Sequence, residues 1–275
     1  MLQLNKHVFD LKRPLIMGIL NITPDSFSDG GQYLTLDTAL KRAHQMIKEG
    51  VDIIDIGGES TRPGSDPVSA DEELKRITPI IEALKKESDI AISIDTYKPQ
   101  VMKAVIDLDV AMINDVYALS QHGAIDIMKE SNVGICLMHM QGTPKTMQVN
   151  PQYTNVVSEV KLFLEARVNH LILEGIDQSR IILDPGFGFG KTFEHNIELL
   201  QHLELFQSLK FPLLVGLSRK SFIRKILNGD TDDHLSGSLS AAIFSVIKGA
   251  KILRVHDVKE TKSALKIINV AQGKT

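Results

Sequence analysis

Short apolar runs recur eight times along the chain, and nearly every run ends at a polar residue. The runs and the residues that follow them are Pro14 to Leu20 before Asn21, Val51 to Ile54 before Asp55, Ile90 to Ile94 before Asp95, Val110 to Ile113 before Asn114, Val133 to Met138 before His139, Ile181 to Leu183 before Asp184, Pro212 to Leu217 before Ser218, and Lys251 to Leu253 before Arg254 and His256. Runs of this kind are typical of strands buried on both faces, as in parallel sheets. The pattern therefore predicts eight parallel strands.

Segments with helical spacing lie between these runs. Apolar residues at this spacing occur from Ala39 to Ile47 and after the capping pair Ser69 and Glu72, where Pro79 is expected to kink or divide the helix. Further helical patterns cover 98–107, 121–131, 154–173, 195–208, 237–248 and 258–270. Eight strands alternating with helices predict an α/β fold, a single (β/α)₈ TIM barrel over residues 1–275. The weak alternation within residues 1–13 predicts a hairpin that closes the barrel bottom.

The charge and the lengths of the apolar runs argue against nucleic acid and membrane partners. The net charge is −3 and 24% of residues are charged, so the chain lacks the basic field that nucleic acid binding needs. No apolar run approaches the roughly 18 residues of a membrane span. The only cysteine, Cys136, lies in an apolar run and is expected to be a buried core residue. We therefore expect a cytoplasmic protein without nucleic acid or membrane partners.

Polar residues at strand ends are the candidates for chemistry, because in this barrel the active site lies at the carboxyl ends of the strands. Asp55, Asp95, Asn114 and Asp184 could each cap the following helix, but in one barrel they would converge. Asp184 and Asn114 suit the donor edge of a heterocycle. Long loops at 21–35, 57–68 and 139–153 lie at the same end and are candidate substrate loops.

Basic residues near the last two strands suggest an anion site. Arg254 and His256 are two residues apart, so strand alternation places them on one face, where they could bind phosphate oxygens. The alternative is an arginine paired with a nearby aspartate. The segment Ser218 to Ser221 opens a predicted helix and could hold an anion, or be a solvated basic turn. The amide oxygen of Asn21, in a loop whose composition also fits a solvated turn, could ligate Mg²⁺.

The glycine-rich segment from Asp184 to Thr192 is similar to a phosphate-binding loop but has the wrong spacing. Gly186 and Gly190 are separated by three residues, whereas the phosphate loop needs four. The glycines are more consistent with backbone that approaches a flat ligand, with Phe187 or Phe189 as its wall.

At these residues the sequence resembles the dihydropteroate synthase family. The segments that carry the resemblance are MGILNITPDSFSDGG at 17–31, DIGGESTRPGS at 55–65, SIDTYKP at 93–99, MINDV at 112–116, MHMQGTP at 138–144, DPGFGFGKT at 184–192, GLSRKSFI at 216–223 and RVHDV at 254–258. The resemblance implies a transferase that condenses 7,8-dihydropterin-6-ylmethyl diphosphate with 4-aminobenzoate, giving 7,8-dihydropteroate and diphosphate in folate biosynthesis. It also implies Mg²⁺, a homodimer and inhibition by sulfonamides.

The resemblance also assigns residues to subsites. The pterin pocket is expected at Asp95, Asn114, Met138, Asp184, Gly216 and Lys220. Diphosphate is expected at Asn21, Arg254 and His256, with Mg²⁺ at Asn21. The aminobenzoate is expected near Thr61, Arg62, Pro63, Phe189, Lys220 and Ser221. Asp95, Lys220, Arg254 and His256 are the expected catalytic residues.

Two other functions fit parts of this pattern. A pterin-dependent methyltransferase could share the Asp and Asn pocket, but it gives no reason for anion sites at Ser218 to Ser221 and at Arg254 with His256. A non-catalytic pterin-binding barrel would be expected to have lost charged residues at the mouth, and the motifs above retain them.

Overall fold

The computed structural model describes residues 1–22, 32–60, 64–229 and 234–273. Its strands are β1 (Leu2–Leu4), β2 (His7–Phe9), β3 (Leu15–Asn21), β4 (Ile53–Gly57), β5 (Ala91–Asp95), β6 (Met112–Asp115), β7 (Gly134–Met138), β8 (Ile181–Asp184), β9 (Leu214–Val215) and β10 (Ile252–Val255). Its α-helices are α1 (Gln32–Glu49), α2 (Ala70–Glu87), α3 (Pro99–Asp107), α4 (Ala124–Lys129), α5 (Val156–Leu173), α6 (Phe193–Gln201), α7 (Ser221–Ile226), α8 (His234–Ile247) and α9 (Val258–Ala271). Short 3₁₀ helices cover Gln178–Arg180 and Leu203–Leu209.

Eight parallel strands form the predicted barrel. Their order is β8-β7-β6-β5-β4-β3-β10-β9, and a parallel bridge between Leu183 and Leu213 joins the two ends. The Leu183 N–H donates to the Pro212 carbonyl at 2.9 Å across this closure. The eight apolar runs of the sequence correspond to these eight strands, and the predicted barrel is confirmed.

The N-terminal hairpin fills the bottom of the barrel. β1 and β2 pair antiparallel, and Leu2 and Leu4 are fully buried. They pack into one cluster with interior side chains near the strand starts, among them Leu15, Met17, Ile53, Met112, Cys136, Ile182, Leu214 and Ile252. The hairpin and the buried Cys136 therefore agree with the sequence predictions. Burial raises the pKa of the Cys136 thiol well above its usual value.

Two helix predictions need correction. Pro79 does not divide α2, which runs unbroken from Ala70 to Glu87, because Ile77, Ile80, Ile81 and Leu84 are all buried on its inner side. The predicted helix at 195–208 ends at Gln201 and continues as the 3₁₀ helix from Leu203. A 3₁₀ helix repeats every three residues, so this turn keeps Leu203 and Phe206 together in the core.

Strand alternation connects this core to the barrel mouth. Side chains two residues apart in a strand point to the same face. Ile53, Met112, Ile182 and Ile252 point into the barrel, so the residues two positions later point into it as well. Those residues are Asp55, Asn114, Asp184 and Arg254. The apolar interior therefore supports a polar layer directly above it.

Candidate active site

The centre of the polar layer is an arginine held by two carboxylates. Arg254, from β10, donates from Nε to Asp55 Oδ2 at 2.6 Å and from an Nη atom to Asp95 Oδ2 at 2.7 Å. Asn114 donates from Nδ2 to the same Asp55 oxygen at 3.3 Å. Asp55, Asp95 and Asn114 are all buried. The pairing of Arg254 with aspartate, which the sequence left as an alternative, is thus present, and it involves two of the other candidates.

Burial and charge set the protonation of this cluster. Burial raises the pKa of Asp95 to about 7, although Arg254 opposes the rise. Asp55 and Asp95 in turn raise the pKa of Arg254 against the effect of its own burial. Asp55 Oδ1 is buried and has no hydrogen-bond partner among the described residues. The cluster therefore offers acceptors to a ligand rich in N–H donors.

Asp184 lies on the other side of the mouth, at the end of β8. Its Oδ1 accepts from the Gly186 N–H at 2.7 Å, and burial raises the pKa of its carboxyl, with Lys220 among the groups opposing the rise. Met138 pairs with Asp184 in the β7–β8 register and is buried beside it. Gly216 adjoins the Arg254 side chain, since a Cβ at Gly216 would lie 3.8 Å from Arg254 Cβ. Asp184, Met138 and Gly216 thus lie with the Arg254 cluster at the carboxyl ends of the strands.

Lys220 and Phe189 form a second wall. The Lys220 Nζ lies 4.3 Å from the centroid of the Phe189 ring, a cation–π contact. Burial lowers the pKa of Lys220 to about 8, and Arg254 lowers it further while Asp184 opposes the shift. Ser221 follows Lys220 as the first residue of α7. The aromatic ring, the amine and the hydroxyl thus come from two loops that meet at the mouth.

His256 is fixed by the end of β9. Its Nδ1 lies 2.9 Å from Ser218 Oγ, and its backbone N–H donates to the same oxygen at 3.3 Å. Arg219, between Ser218 and Lys220, has a left-handed φ of 60°, and its N–H donates to Ser238 Oγ at 3.0 Å. The segment after β9 is therefore a structured turn.

Some predicted residues cannot be placed. Thr61, Arg62 and Pro63, and residues 23–31 of the first loop, lie outside the described residues. Asn21 ends β3, and its Oδ1 would be 3.4 Å from a Cβ at Gly57. Within the described ranges, no group of three or more His, Cys, Asp or Glu side chains could hold a metal ion.

Two groups of residues near the site were not predicted to have roles. Lys98 bridges Glu59 and the buried Glu73, at 2.5 Å from Glu73 Oε2, and Tyr97 donates to Glu59 at 3.0 Å. This cluster lies beneath the loop that follows β4. Lys191 and His139 form the second group, in which the lysine is buried within the glycine-rich loop. A lysine directly after three spaced glycines is the sequence signal for this group, and the comparison with a phosphate-binding loop assigned it no role.

Comparisons with known proteins agree with this geometry. The family model of pterin binding enzymes matches residues 17–256. The dihydropteroate synthase of Haemophilus influenzae is 48% identical over 263 residues, covering 96% of each chain. That of Escherichia coli K12 is 48% identical over 259 residues, covering 94% of this chain and 92% of the relative.

The chain belongs to the dihydropteroate synthase family.

Solved structures of the family have the same fold. The Yersinia pestis dihydropteroate synthase, in a sulfonamide drug complex, superposes with a TM-score of 0.92 at 42% identity and covers 100% of both chains. The Xanthomonas albilineans enzyme in complex with 7,8-dihydropteroate gives a TM-score of 0.89 at 40% identity over 98% of both chains. The predicted family, barrel and dihydropteroate synthase activity are confirmed. Among the described residues, no helix is long and apolar enough to cross a membrane.

Proposed function

We propose that the mouth of this dihydropteroate synthase barrel binds its substrates in three adjoining subsites. The pterin would occupy the pocket of Asp95, Asn114, Met138, Asp184, Gly216 and Lys220. The diphosphate would lie at Asn21, Arg254 and His256, and the 4-aminobenzoate at Phe189 and Ser221, beside Thr61, Arg62 and Pro63. The convergence of Asp55 and Asp95 on Arg254, with Asn114 donating to Asp55, is the observation that carries the proposal, since it puts buried acceptors beside a cation.

The pterin pocket supplies acceptors for a donor-rich ring. Asp184 in β8 and Asn114 in β6 are separated by one strand of the barrel. A carboxylate that accepts from amino and ring N–H groups makes charge-assisted hydrogen bonds. Met138 supplies apolar surface beneath a flat ring. The pocket thus combines a small number of polar groups with apolar walls, as ligand pockets usually do.

In the reaction, the methylene C–O bond breaks and its electron pair leaves with the diphosphate. The aminobenzoate nitrogen forms the new C–N bond and then loses a proton. Arg254 and His256 stabilise the negative charge that develops on the diphosphate, while Asp95 stabilises positive charge on the pterin methylene. Arg254 donates to Asp95 at 2.7 Å, so the group that would receive the negative charge and the group that would stabilise the positive charge are neighbours.

Magnesium fits this site through few protein ligands. Mg²⁺ commonly takes one or two protein oxygens and fills its other positions with water and substrate phosphate. The Asn21 amide oxygen at the end of β3 is such a ligand, and the described residues hold no acidic cluster that would bind a metal without the substrate. When bound, the ion would neutralise charge on the diphosphate.

We also propose that the enzyme is a cytoplasmic homodimer that sulfonamides inhibit. Phe244 and Ile247 are exposed one turn apart on the same face of α8, which leaves an apolar patch for a second copy. The single cysteine is buried and unpaired, in keeping with a reducing compartment. A sulfonamide resembles 4-aminobenzoate and would compete for the Phe189 and Ser221 subsite.

Turnover of dihydropterin diphosphate and 4-aminobenzoate, with and without Mg²⁺, tests this function. We expect dihydropteroate, followed by mass, and diphosphate to appear in equal amounts and only with Mg²⁺. Equal turnover after chelation would exclude the metal assignment. Pterin binding without either product would exclude the reaction.

Substitution Asp184→Asn tests the pterin pocket. The neutral amide loses a charge-assisted acceptor, so we expect pterin affinity to fall about tenfold or more. Titration calorimetry with the pterin substrate measures the change. Asp177→Asn is the matched control, because Asp177 caps the turn at the opposite end of the same strand. Equal pterin affinity in both variants would remove Asp184 from the pocket.

A further inference from the structure

Lys191 is buried inside the glycine-rich loop, and its ammonium group is surrounded by acceptors. Lys191 is 2% exposed. The Nζ lies 2.9 Å from the Gly186 carbonyl, 3.0 Å from the Phe189 carbonyl and 2.9 Å from His139 Nδ1. The His139 carbonyl lies farther away, at 3.4 Å. Burial lowers the pKa of Lys191 to about 7, with Asp184 opposing the shift. In its protonated form the amine has three N–H donors, which match the three nearer acceptors.

His139 completes this coordination as a neutral acceptor. Burial and the neighbouring Lys191 lower the pKa of His139 to about 3. With Nδ1 accepting from Lys191, the ring of His139 carries its proton on Nε2. The ring also packs edge-on against Phe163 at 4.9 Å, which fixes its orientation. The end of β7 therefore holds the lysine from the side opposite the loop.

The conformation of the glycine-rich loop places backbone carbonyls around the Lys191 side chain. Gly186, Gly188 and Gly190 have left-handed φ values of 70°, 80° and 61°, and in this loop the Gly186 and Phe189 carbonyls face the Lys191 Nζ. Buried carbonyls need donors, and an unpaired one costs about 1–3 kcal/mol. Two further loop carbonyls accept from outside the loop, since Gln148 donates to Gly188 at 2.6 Å and Tyr153 to Gly190 at 2.8 Å. Lys191 donates to the carbonyls on the inner side of the loop, those of Gly186 and Phe189.

The same contacts reach the active site through Phe189. Lys191 holds the Phe189 carbonyl, and the Phe189 ring packs over the Lys220 Nζ. Asn196 accepts from the Gly188 N–H at 2.7 Å and donates to the Lys191 carbonyl at 3.3 Å, so α6 supports the same turn. Without the ammonium group, the Gly186 carbonyl would keep the Phe189 N–H at 3.1 Å, but the Phe189 carbonyl would lose the Lys191 donor, and the Phe189 ring would shift with it.

We propose that Lys191 is a positioning residue that sets the Phe189 wall of the aminobenzoate subsite from within the loop. The inference rests on the placement of aminobenzoate against Phe189 in the proposed function. Lys191 touches no substrate in this assignment. Its effect is on the second substrate more than on the pterin, because the Asp184 backbone is fixed in β8 and only its side chain contacts the loop, through the Gly186 N–H.

The test compares Lys191→Met with Arg180→Met. Arg180 is the matched control, a buried cation that donates to the Met128 and Val133 carbonyls at 2.9 and 3.1 Å but lies before β8, at the barrel bottom. Both variants lose a buried donor to backbone carbonyls. We expect Lys191→Met alone to raise the KM for 4-aminobenzoate about tenfold or more, since small misplacements at a site have effects of this size. Pterin affinity by calorimetry should stay within about threefold in both.

Two further variants, His139→Leu and Phe189→Ala, test the role of Lys191 in other ways. If Lys191→Met does not fold, His139→Leu removes one of the three acceptors and should raise the same KM by a smaller factor. Phe189→Ala separates this inference from the proposed function. A raised aminobenzoate KM in Phe189→Ala with none in folded Lys191→Met or His139→Leu would overturn the role of Lys191 alone. No change in Phe189→Ala would overturn the subsite, and the inference with it. If Lys191→Met weakens the binding of pterin and of aminobenzoate equally, or if Arg180→Met changes the aminobenzoate KM by the same factor, the role of Lys191 is purely structural.

Discussion

Replacing Arg254 with Met should cost more than any other single change at the mouth. The substitution leaves the buried Asp55 and Asp95 without their shared cation, and removing one partner of a buried ion pair costs about 3–5 kcal/mol. It also removes a donor from the charge that develops on diphosphate, for which kcat should fall by roughly 10²–10³. Urea unfolding and steady-state turnover measure the two effects.

The loss of stability in Arg254→Met should depend on pH. Burial already raises the pKa of Asp95 to about 7, and loss of Arg254 would raise it further. When the pKa of a carboxyl is higher in the folded than in the unfolded state, its contribution to stability is fully present below the unfolded pKa. That contribution is lost as the pH rises through the folded pKa. The variant should therefore lose more stability at pH 8 than at pH 5. Equal losses at both values would contradict the explanation.

Arg13→Met is the control for Arg254→Met. Arg13 pairs bidentately with Asp52 at 2.6 and 3.0 Å, but at the barrel bottom and about half exposed. Exposed ion pairs contribute about 1 kcal/mol or less. We expect Arg13→Met to change turnover little, and a comparable loss of turnover would mean that the effect at Arg254 reflects general damage.

Gly186→Ala should have the second largest effect. A Cβ at this position would lie 1.9 Å from the His139 carbonyl oxygen, a backbone atom that cannot move without displacing the end of β7. We expect a loss of roughly 3 kcal/mol or more in the free energy of unfolding. Aminobenzoate turnover should fall as well, since the loop that carries Phe189 begins here.

Gly123→Ala separates the collision from the backbone conformation. Gly123 has a φ of 82° and nothing within 4 Å of an added Cβ. Its substitution should cost only the left-handed conformation, about 1–2 kcal/mol. Denaturant midpoints of the two variants make the comparison. If Gly186→Ala costs no more than Gly123→Ala, the close approach to His139 is relieved at low cost.

The barrel and the set of mouth residues could be predicted because both depend on short-range periodicity. Each apolar run identifies a buried strand, and the first polar residue after it identifies a strand end, as with Asp184 after Leu183. Whether Pro79 divides a helix depends instead on the burial of the side chains around it, and α2 packs along its whole length. Of the two expected outcomes, a kink or a division, the structure excludes the division.

Contacts within the site could not be predicted in the same way. The pairing of Arg254 with Asp55 spans 199 residues, and it depends on the register of β10 against β3 and of β3 against β4. The enclosure of Lys191 depends on three left-handed glycines and on His139 from a different strand. A sequence pattern shows that such residues exist, but not which of several acceptors each will meet. The subsite roles of Thr61, Arg62 and Pro63 stay predictions, because these residues lie outside the described ranges.

The hairpin beneath the barrel has a practical consequence for attaching the enzyme to surfaces. Leu2 and Leu4 are sealed into the bottom, while Met1 is 83% exposed. A tether joined to Met1 therefore leaves the molecule on the side away from the carboxyl ends of the strands. Enzyme immobilised through its N-terminus would present the mouth and its loops to the solution, provided that the linker begins before Leu2 and leaves the two leucines in place.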